Sequence, residues 1–157
     1  MTRLALTTLL ALSLGLPNTA QTIPPAAPGP VFPRGERAPA PYFTGEVYVY
    51  PLVQDDPAFQ CVSSSVTFRP GARSNWHVHP AGQLLLVTEG VGYYQEKGQP
   101  IRLLRRGEVV QALPGVEHWH GASPTQALTH IALNVNTEKG IVNWGRPVTT
   151  QEYTSYH

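Results

Sequence analysis

The sequence predicts an all-β fold, built as a sandwich or barrel of many short strands. Proline and glycine number 16 and 14 among 157 residues, a composition typical of strands joined by tight turns. From residue 42 to residue 135, no long segment repeats apolar residues every 3.6 positions, which argues against long helices. The length suits one domain, and a net charge of +1 without a basic stripe argues against nucleic acid as a partner.

Residues 1–20 are predicted to be a signal peptide. Arg3 precedes an apolar run over residues 4–16, and small residues follow it before Gln21. The run is shorter than the roughly 20 residues that a membrane-spanning helix needs. We therefore expect a periplasmic or secreted protein that has no membrane association once the signal is removed.

Residues 21–41 are predicted to be a proline-rich linker. Seven prolines lie between Ile23 and Pro41, and proline cannot donate to a strand ladder. Such a segment favours an extended, semi-rigid spacer. The folded domain is accordingly expected to cover residues 42–157.

Strands are predicted wherever β-rich runs lie between turn signals such as Pro70-Gly71, Lys97-Gly98 and Pro114-Gly115. The predicted strands cover residues 46–50, 61–68, 83–88, 91–95, 101–104, 108–112, 118–122 and 127–135. A break is expected at Glu89-Gly90, between the third and fourth of these. Near the end, Thr149 and Glu152 have the spacing of a capping box, which predicts a short C-terminal helix.

Clustered histidines predict a metal site. Five of the six histidines lie between positions 77 and 130, and two pairs have the spacing that puts both rings on one face of a strand. Four side chains, His77, His79, Gln83 and His118, form a plausible ligand set for one divalent ion. Three imidazoles and a neutral oxygen would leave coordination positions open and would leave the ion's charge uncompensated. Mixed nitrogen and oxygen ligands suit Mn, Fe, Co, Ni or Zn.

The other two histidines of this region have more than one interpretation. His120 shares the face of His118, so it is a further metal ligand, a general base or a structural histidine, and the base is favoured. His130 lies on the next strand and is either buried and hydrogen-bonded or catalytic.

The spacing of these residues resembles the two sequence motifs of cupins. Gly71, His77-Val78-His79, Gln83 and Gly90 match the first motif, with Gln83 where the family usually has Glu. Gly107 and the segment 114–118 match the second, although Leu113 and Ala122 replace the usual Pro and Asn. The resemblance implies a double-stranded β-helix, or jelly roll, with the metal inside the barrel mouth.

A narrower resemblance is to the small bacterial cupins that include manganese-dependent hydroxynitrile lyases, often grouped as carboxymuconolactone decarboxylase-like cupins. The segments 73–83, 118–122 and 128–130 carry it. It implies that manganese is the most favoured ion and that His77, His79, Gln83 and His118 hold it. It also implies catalytic positions at His120, His130 and Ser74, and a homodimer. Asn134 stands where those lyases can have Gln.

The function expected from this resemblance is a metal-dependent lyase acting on a small carbonyl or hydroxyl substrate, most concretely the cleavage and synthesis of cyanohydrins. Open coordination positions also allow an Fe- or Mn-dependent dioxygenase. A non-catalytic cupin that binds a small ligand or a metal is the third hypothesis.

Overall fold

The structure is a computed structural model, and it describes residues 30–156. This part of the chain forms twelve strands, two 3₁₀ turns (Ala40–Tyr42 and Thr137–Lys139) and one short helix, α1 (Thr150–Tyr153). The strands are β1 (Glu36–Arg37), β2 (Phe43–Thr44), β3 (Val47–Val53), β4 (Cys61–Phe68), β5 (Arg73–Ser74), β6 (His77–Val78), β7 (Gln83–Glu96), β8 (Arg102–Arg105), β9 (Val109–Ala112), β10 (His118–Ala122), β11 (Leu128–Val135) and β12 (Asn143–Trp144).

Two antiparallel faces make up the curled sheet. The first runs β1-β3-β4-β11-β7-β9, and the second runs β2-β5-β10-β7-β8, with β6 beside β10 and β12 beside β6. Strand β7 belongs to both faces, because its first half pairs with β11 and β9 and its second half with β10 and β8. The prediction of an all-β jelly roll is confirmed, and so is the short C-terminal helix.

The predicted break at Glu89-Gly90 is wrong, because β7 continues through it as one strand of 14 residues. Gly90 takes a φ of +78°, which bends the strand without ending it. The pairing with β11 is irregular just before this glycine: Thr129 pairs with Glu89 and His130 with Val87, so Thr88 of β7 is an extra residue without a partner. A turn signal inside a strand-like run thus marks the corner between the two faces.

The sheet also takes in part of the segment that the sequence assigned to the linker. Glu36–Arg37 pair with Val49 and Tyr48 of β3, although the whole segment was expected to stay out of any ladder. These two residues lie in the gap between Pro33 and Pro39, where every backbone N–H can still donate. The predicted signal peptide and residues 21–29 of the linker lie outside the described residues, so export, like homodimer formation, stays a prediction.

The core lies between the two faces of the sheet. Val47, Phe68, Leu85, Leu104 and Leu128 are almost completely buried there, and burying side chains of this kind contributes roughly 1.5–3 kcal/mol each. This apolar layer gives the inward-facing histidines rigid neighbours.

A second apolar cluster packs on the outer side of β10, under α1. Trp119 packs against Tyr153 of the helix, whose hydroxyl donates to the carbonyl of Ala122 at 2.8 Å. The capping box predicted at Thr149 and Glu152 is present. Among residues 30–156, no helix has the length and apolar character needed to cross a membrane.

Candidate metal centre

Three histidine side chains meet inside the barrel. His77 of β6 lies directly opposite His118 of β10 in the strand register, and their ring centroids are 4.4 Å apart. His79 follows two residues after His77, with the two ring centroids 5.0 Å apart. One ring nitrogen from each of the three lies within 4.8 Å of the others, so the rings are grouped to hold a metal ion.

The fourth predicted ligand, Gln83, reaches the same point through a tight turn. The backbone N–H of Gly82 donates to the carbonyl of His79 at 3.1 Å, and Gly82 has a φ of +85°. A Cβ at Gly82 would lie 2.8 Å from the carbonyl oxygen of Ala112, so only glycine fits there without a backbone shift. The turn delivers Gln83 Oε1 to 3.3 Å from His118 Nε2.

Backbone carbonyls fix the tautomers of His77, His79 and His118. A carbonyl oxygen only accepts, so the Nδ1 atom beside it carries the proton and Nε2 keeps its lone pair. The three bonds join His77 to Asn75 (2.9 Å), His79 to Ile141 (2.6 Å) and His118 to Val116 (3.0 Å). This arrangement orients metal-binding imidazoles in proteins generally.

Burial keeps these imidazoles neutral. Loss of solvent lowers the pKa of His79 to about 4 and lowers the pKa of His118 as well. The pKa of His77 falls well below its ordinary value, first through burial and then through the nearby His118. The rings are therefore unprotonated near pH 7, which is the state that binds a metal.

The donor set fits a cation. With Nδ1 protonated, His118 directs the Nε2 lone pair at the side-chain oxygen Oε1 of Gln83. Two acceptors 3.3 Å apart repel each other. His79 Nε2 is buried and has no hydrogen-bond partner among the described residues. A positive ion placed among these atoms would satisfy all of them.

The three residues predicted to be catalytic occupy different positions. His120 lines the cavity beside the ligands, and its Nδ1 lies 3.2 Å from Nε2 of His130. His130 is fully buried behind that ring and does not line the cavity. Ser74 is also buried outside the cavity, where its Oγ accepts from the backbone N–H of His120 at 3.2 Å. His120 is thus accessible to a bound molecule, whereas His130 and Ser74 contact His120 itself and hold that residue in position.

A mostly apolar cavity of about 140 Å³ opens onto this group. Its volume resembles that of an engineered 150 Å³ protein cavity that binds benzene. Apart from His77, His79, Gln83 and His120, its walls are Phe43, Val49, Ser64, Val66, Ala132, Asn134, Ile141, Val142 and Trp144. The cavity therefore suits a molecule with one aromatic ring and a polar group directed at the histidines.

Some of these parts were beyond sequence reasoning. The carbonyls of Asn75, Ile141 and Val116 have no sequence signal, because every residue supplies the same acceptor. Trp144 forms the cavity mouth by pairing with His77 across β12 and β6 and by stacking on Tyr42.

Known proteins similar to this chain share its fold. The family model described as a cupin domain matches residues 64–133. An (R)-mandelonitrile lyase from Granulicella tundricola is 46% identical over 118 residues, which cover 74% of this chain and 89% of that protein.

Solved structures agree with the sequence matches. A cupin-like protein from Thermotoga maritima has a TM-score of 0.78 at 44% identity, over 80% of this chain and 95% of its own. The dimethylsulfoniopropionate (DMSP) lyase DddQ from Ruegeria pomeroyi, at 18% identity and a TM-score of 0.55 over 69% of this chain and 54% of its own, shares the fold alone.

Proposed function

Because this chain belongs to the cupin family, we propose that it is a metal-dependent lyase that cleaves and forms cyanohydrins of aromatic aldehydes. One observation carries the proposal: the grouped donors of the candidate metal centre open into an apolar, ring-sized cavity beside His120, a base that is not needed as a ligand. The 46% identity to a protein named as a mandelonitrile lyase supports the same reaction.

The residues present fit a divalent ion, proposed to be Mn²⁺. His77, His79 and His118 would hold it through Nε2, and Gln83 through Oε1. When bound, such an ion supplies Lewis acidity to an oxygen atom of the substrate. Since all four donors are neutral, the protein would not weaken that acidity with a negative charge of its own.

His120 would move the proton. In the cleavage direction its Nε2 takes the proton of the cyanohydrin hydroxyl group, the carbon–oxygen double bond forms, and the bond to the nitrile carbon breaks with its electron pair leaving on cyanide. The proton then passes from His120 to cyanide, so the products are an aldehyde and hydrogen cyanide. Synthesis is the reverse of these steps.

His130 and Ser74 support this base. For His120 Nε2 to accept a proton, Nδ1 must carry one and donate it to His130 Nε2, 3.2 Å away. Burial lowers the pKa of His120 well below its ordinary value, with the neighbouring His130 as the second cause, so the ring is neutral near pH 7. Ser74 fixes the backbone of the same residue through its hydroxyl group.

The test is the release of benzaldehyde from mandelonitrile by the purified protein loaded with Mn²⁺, with Fe, Co, Ni and Zn loaded in parallel. A His79→Ala variant incubated with the same ion, and the free ion alone, are the controls. The proposal expects turnover that needs the intact site. Activity no greater than that of both controls rejects it, and oxygen uptake with a phenol or diketone would favour a dioxygenase instead.

A further inference from the structure

We infer that Asn134 is a positioning residue for the candidate metal centre: it sets which end of the Gln83 side-chain amide faces the three histidines. Asn134 lies directly opposite Gln83 on the neighbouring strand β11. Its Oδ1 accepts from Gln83 Nε2 at 3.2 Å. The inference is independent of the proposed reaction, because it concerns the holding of the ion.

An amide side chain has a donor end and an acceptor end, and only the oxygen can bind a cation. If Gln83 turned over, its N–H group would point at the histidine nitrogens, and its oxygen would face the oxygen of Asn134. Two facing oxygens repel each other, so an acceptor at position 134 opposes the flipped state. Gln83 is 6% exposed, so water offers little alternative partner for either end.

Asn134 has a side-chain amide of its own. If both amides turned over together, the hydrogen bond between them would persist, with Asn134 as the donor and Gln83 as the acceptor. Gln83 would then donate to His118 Nε2, from which its side-chain oxygen now lies 3.3 Å away. The observed orientation directs the oxygen of Gln83 at the histidines, and within residues 30–156 the side-chain N–H groups of Asn134 have no protein partner at the cavity wall that this residue lines. A side chain at position 134 that can only accept should therefore hold the Gln83 oxygen toward the histidines more firmly than Asn134 does.

Two substitutions separate the acceptor from the bulk of the side chain. Asn134→Leu has almost the same shape but offers Gln83 no acceptor, so the amide is free to turn. Residues that orient a metal ligand typically contribute about 10-fold to 100-fold in affinity, and a loss in that range is expected for Mn²⁺. Asn134→Asp keeps an oxygen that only accepts and should bind Mn²⁺ at least as tightly as the parent protein.

The deciding experiment repeats Asn134→Leu in a Gln83→Glu background. A carboxylate has two equivalent oxygens and no donor end, so there is no orientation for residue 134 to set. The affinity for Mn²⁺, measured by competition with a fluorescent chelator, should fall by less than about threefold in that background, against about 10-fold to 100-fold in the Gln83 background. The visible spectrum of the Co²⁺-loaded protein should change with Asn134→Leu only where Gln83 is present.

Equal losses of affinity in the two backgrounds would overturn the inference, because position 134 would then matter only to packing. An unchanged affinity in the Gln83 background would overturn it too, as would a loss for Asn134→Asp equal to that for Asn134→Leu. Failure of the parent protein to take up either ion would remove the site itself. None of these results depends on whether the protein cleaves a cyanohydrin.

Discussion

Replacing His120 by phenylalanine tests the proposed base with little change in shape. His120 is 5% exposed, and its ring meets the ring of Phe68 edge to face, with centroids 5.6 Å apart. A phenyl ring fills nearly the same space but has no nitrogen to accept a proton. His120→Phe should therefore remove the base and leave the four metal-binding side chains in place.

The expected loss follows from the role. General acid–base catalysis contributes typically about 10²-fold to 10⁴-fold, so kcat should fall by that factor. At about 1.36 kcal/mol per tenfold change, this is a rise of about 2.7–5.4 kcal/mol in the activation free energy. Stability should also fall, because His130 Nε2 loses its partner at 3.2 Å, and an unsatisfied buried polar group costs about 1–3 kcal/mol.

The assay is benzaldehyde release under saturating mandelonitrile, with the bound metal measured on the same sample. Trp119→Phe is the matched control, since Trp119 neighbours His120 on β10 but packs on the outer cluster against Tyr153. The control should keep kcat within about threefold of the parent value. If His120→Phe also keeps kcat within that range while retaining its metal, His120 is not the base.

Two further predictions concern stability. Gly90→Ala should lower the free energy of unfolding by more than about 3 kcal/mol, because its Cβ would lie 1.9 Å from the carbonyl oxygen of Ala127. The control is Gly107→Ala, where φ is +89° but nothing lies within 4 Å of the new Cβ, so the free energy of unfolding should fall by only about 1–2 kcal/mol. Equal losses for the two variants in urea unfolding would refute this account of the β7 corner. In metal-stripped protein the free energy of unfolding should fall as the pH drops from about 6.5 toward 4, because the pKa values of His79 and His130 are lowered to about 4 in the folded state and the unfolded chain takes up protons first. A free energy of unfolding that rises as the pH drops through this window, measured by urea unfolding at a series of pH values, would show that these rings are not buried as neutral groups.

Much of the fold could be predicted from local patterns. Cys61–Phe68 and His118–Ala122 form strands with the bounds that the sequence predicts, because turn residues flank both. The corner at Gly90 differs from the predicted break because a glycine that ends a strand and a glycine that bends one look the same in sequence. Pairing of Glu36–Arg37 could not be predicted because it depends on β3 offering a free edge.

For the candidate site, the structure brings together the four side chains that residue type and spacing predict as ligands, His77, His79, Gln83 and His118, and their binding of a metal stays a prediction. Residue type and spacing could not rank the other polar residues by access to the cavity. The sequence predicts catalytic positions at Ser74, His130 and His120 alike, although only His120 of these three lines the cavity. Position along a strand gives the face of a side chain, but the depth of that side chain depends on what packs above it.

The most direct test of the central claim is anomalous diffraction from crystals of the protein grown with Mn²⁺. The account predicts one anomalous peak per chain, within bonding distance of Nε2 of His77, His79 and His118 and of Oε1 of Gln83. No peak at this point, or an ion held elsewhere while the three rings stay free, would contradict it.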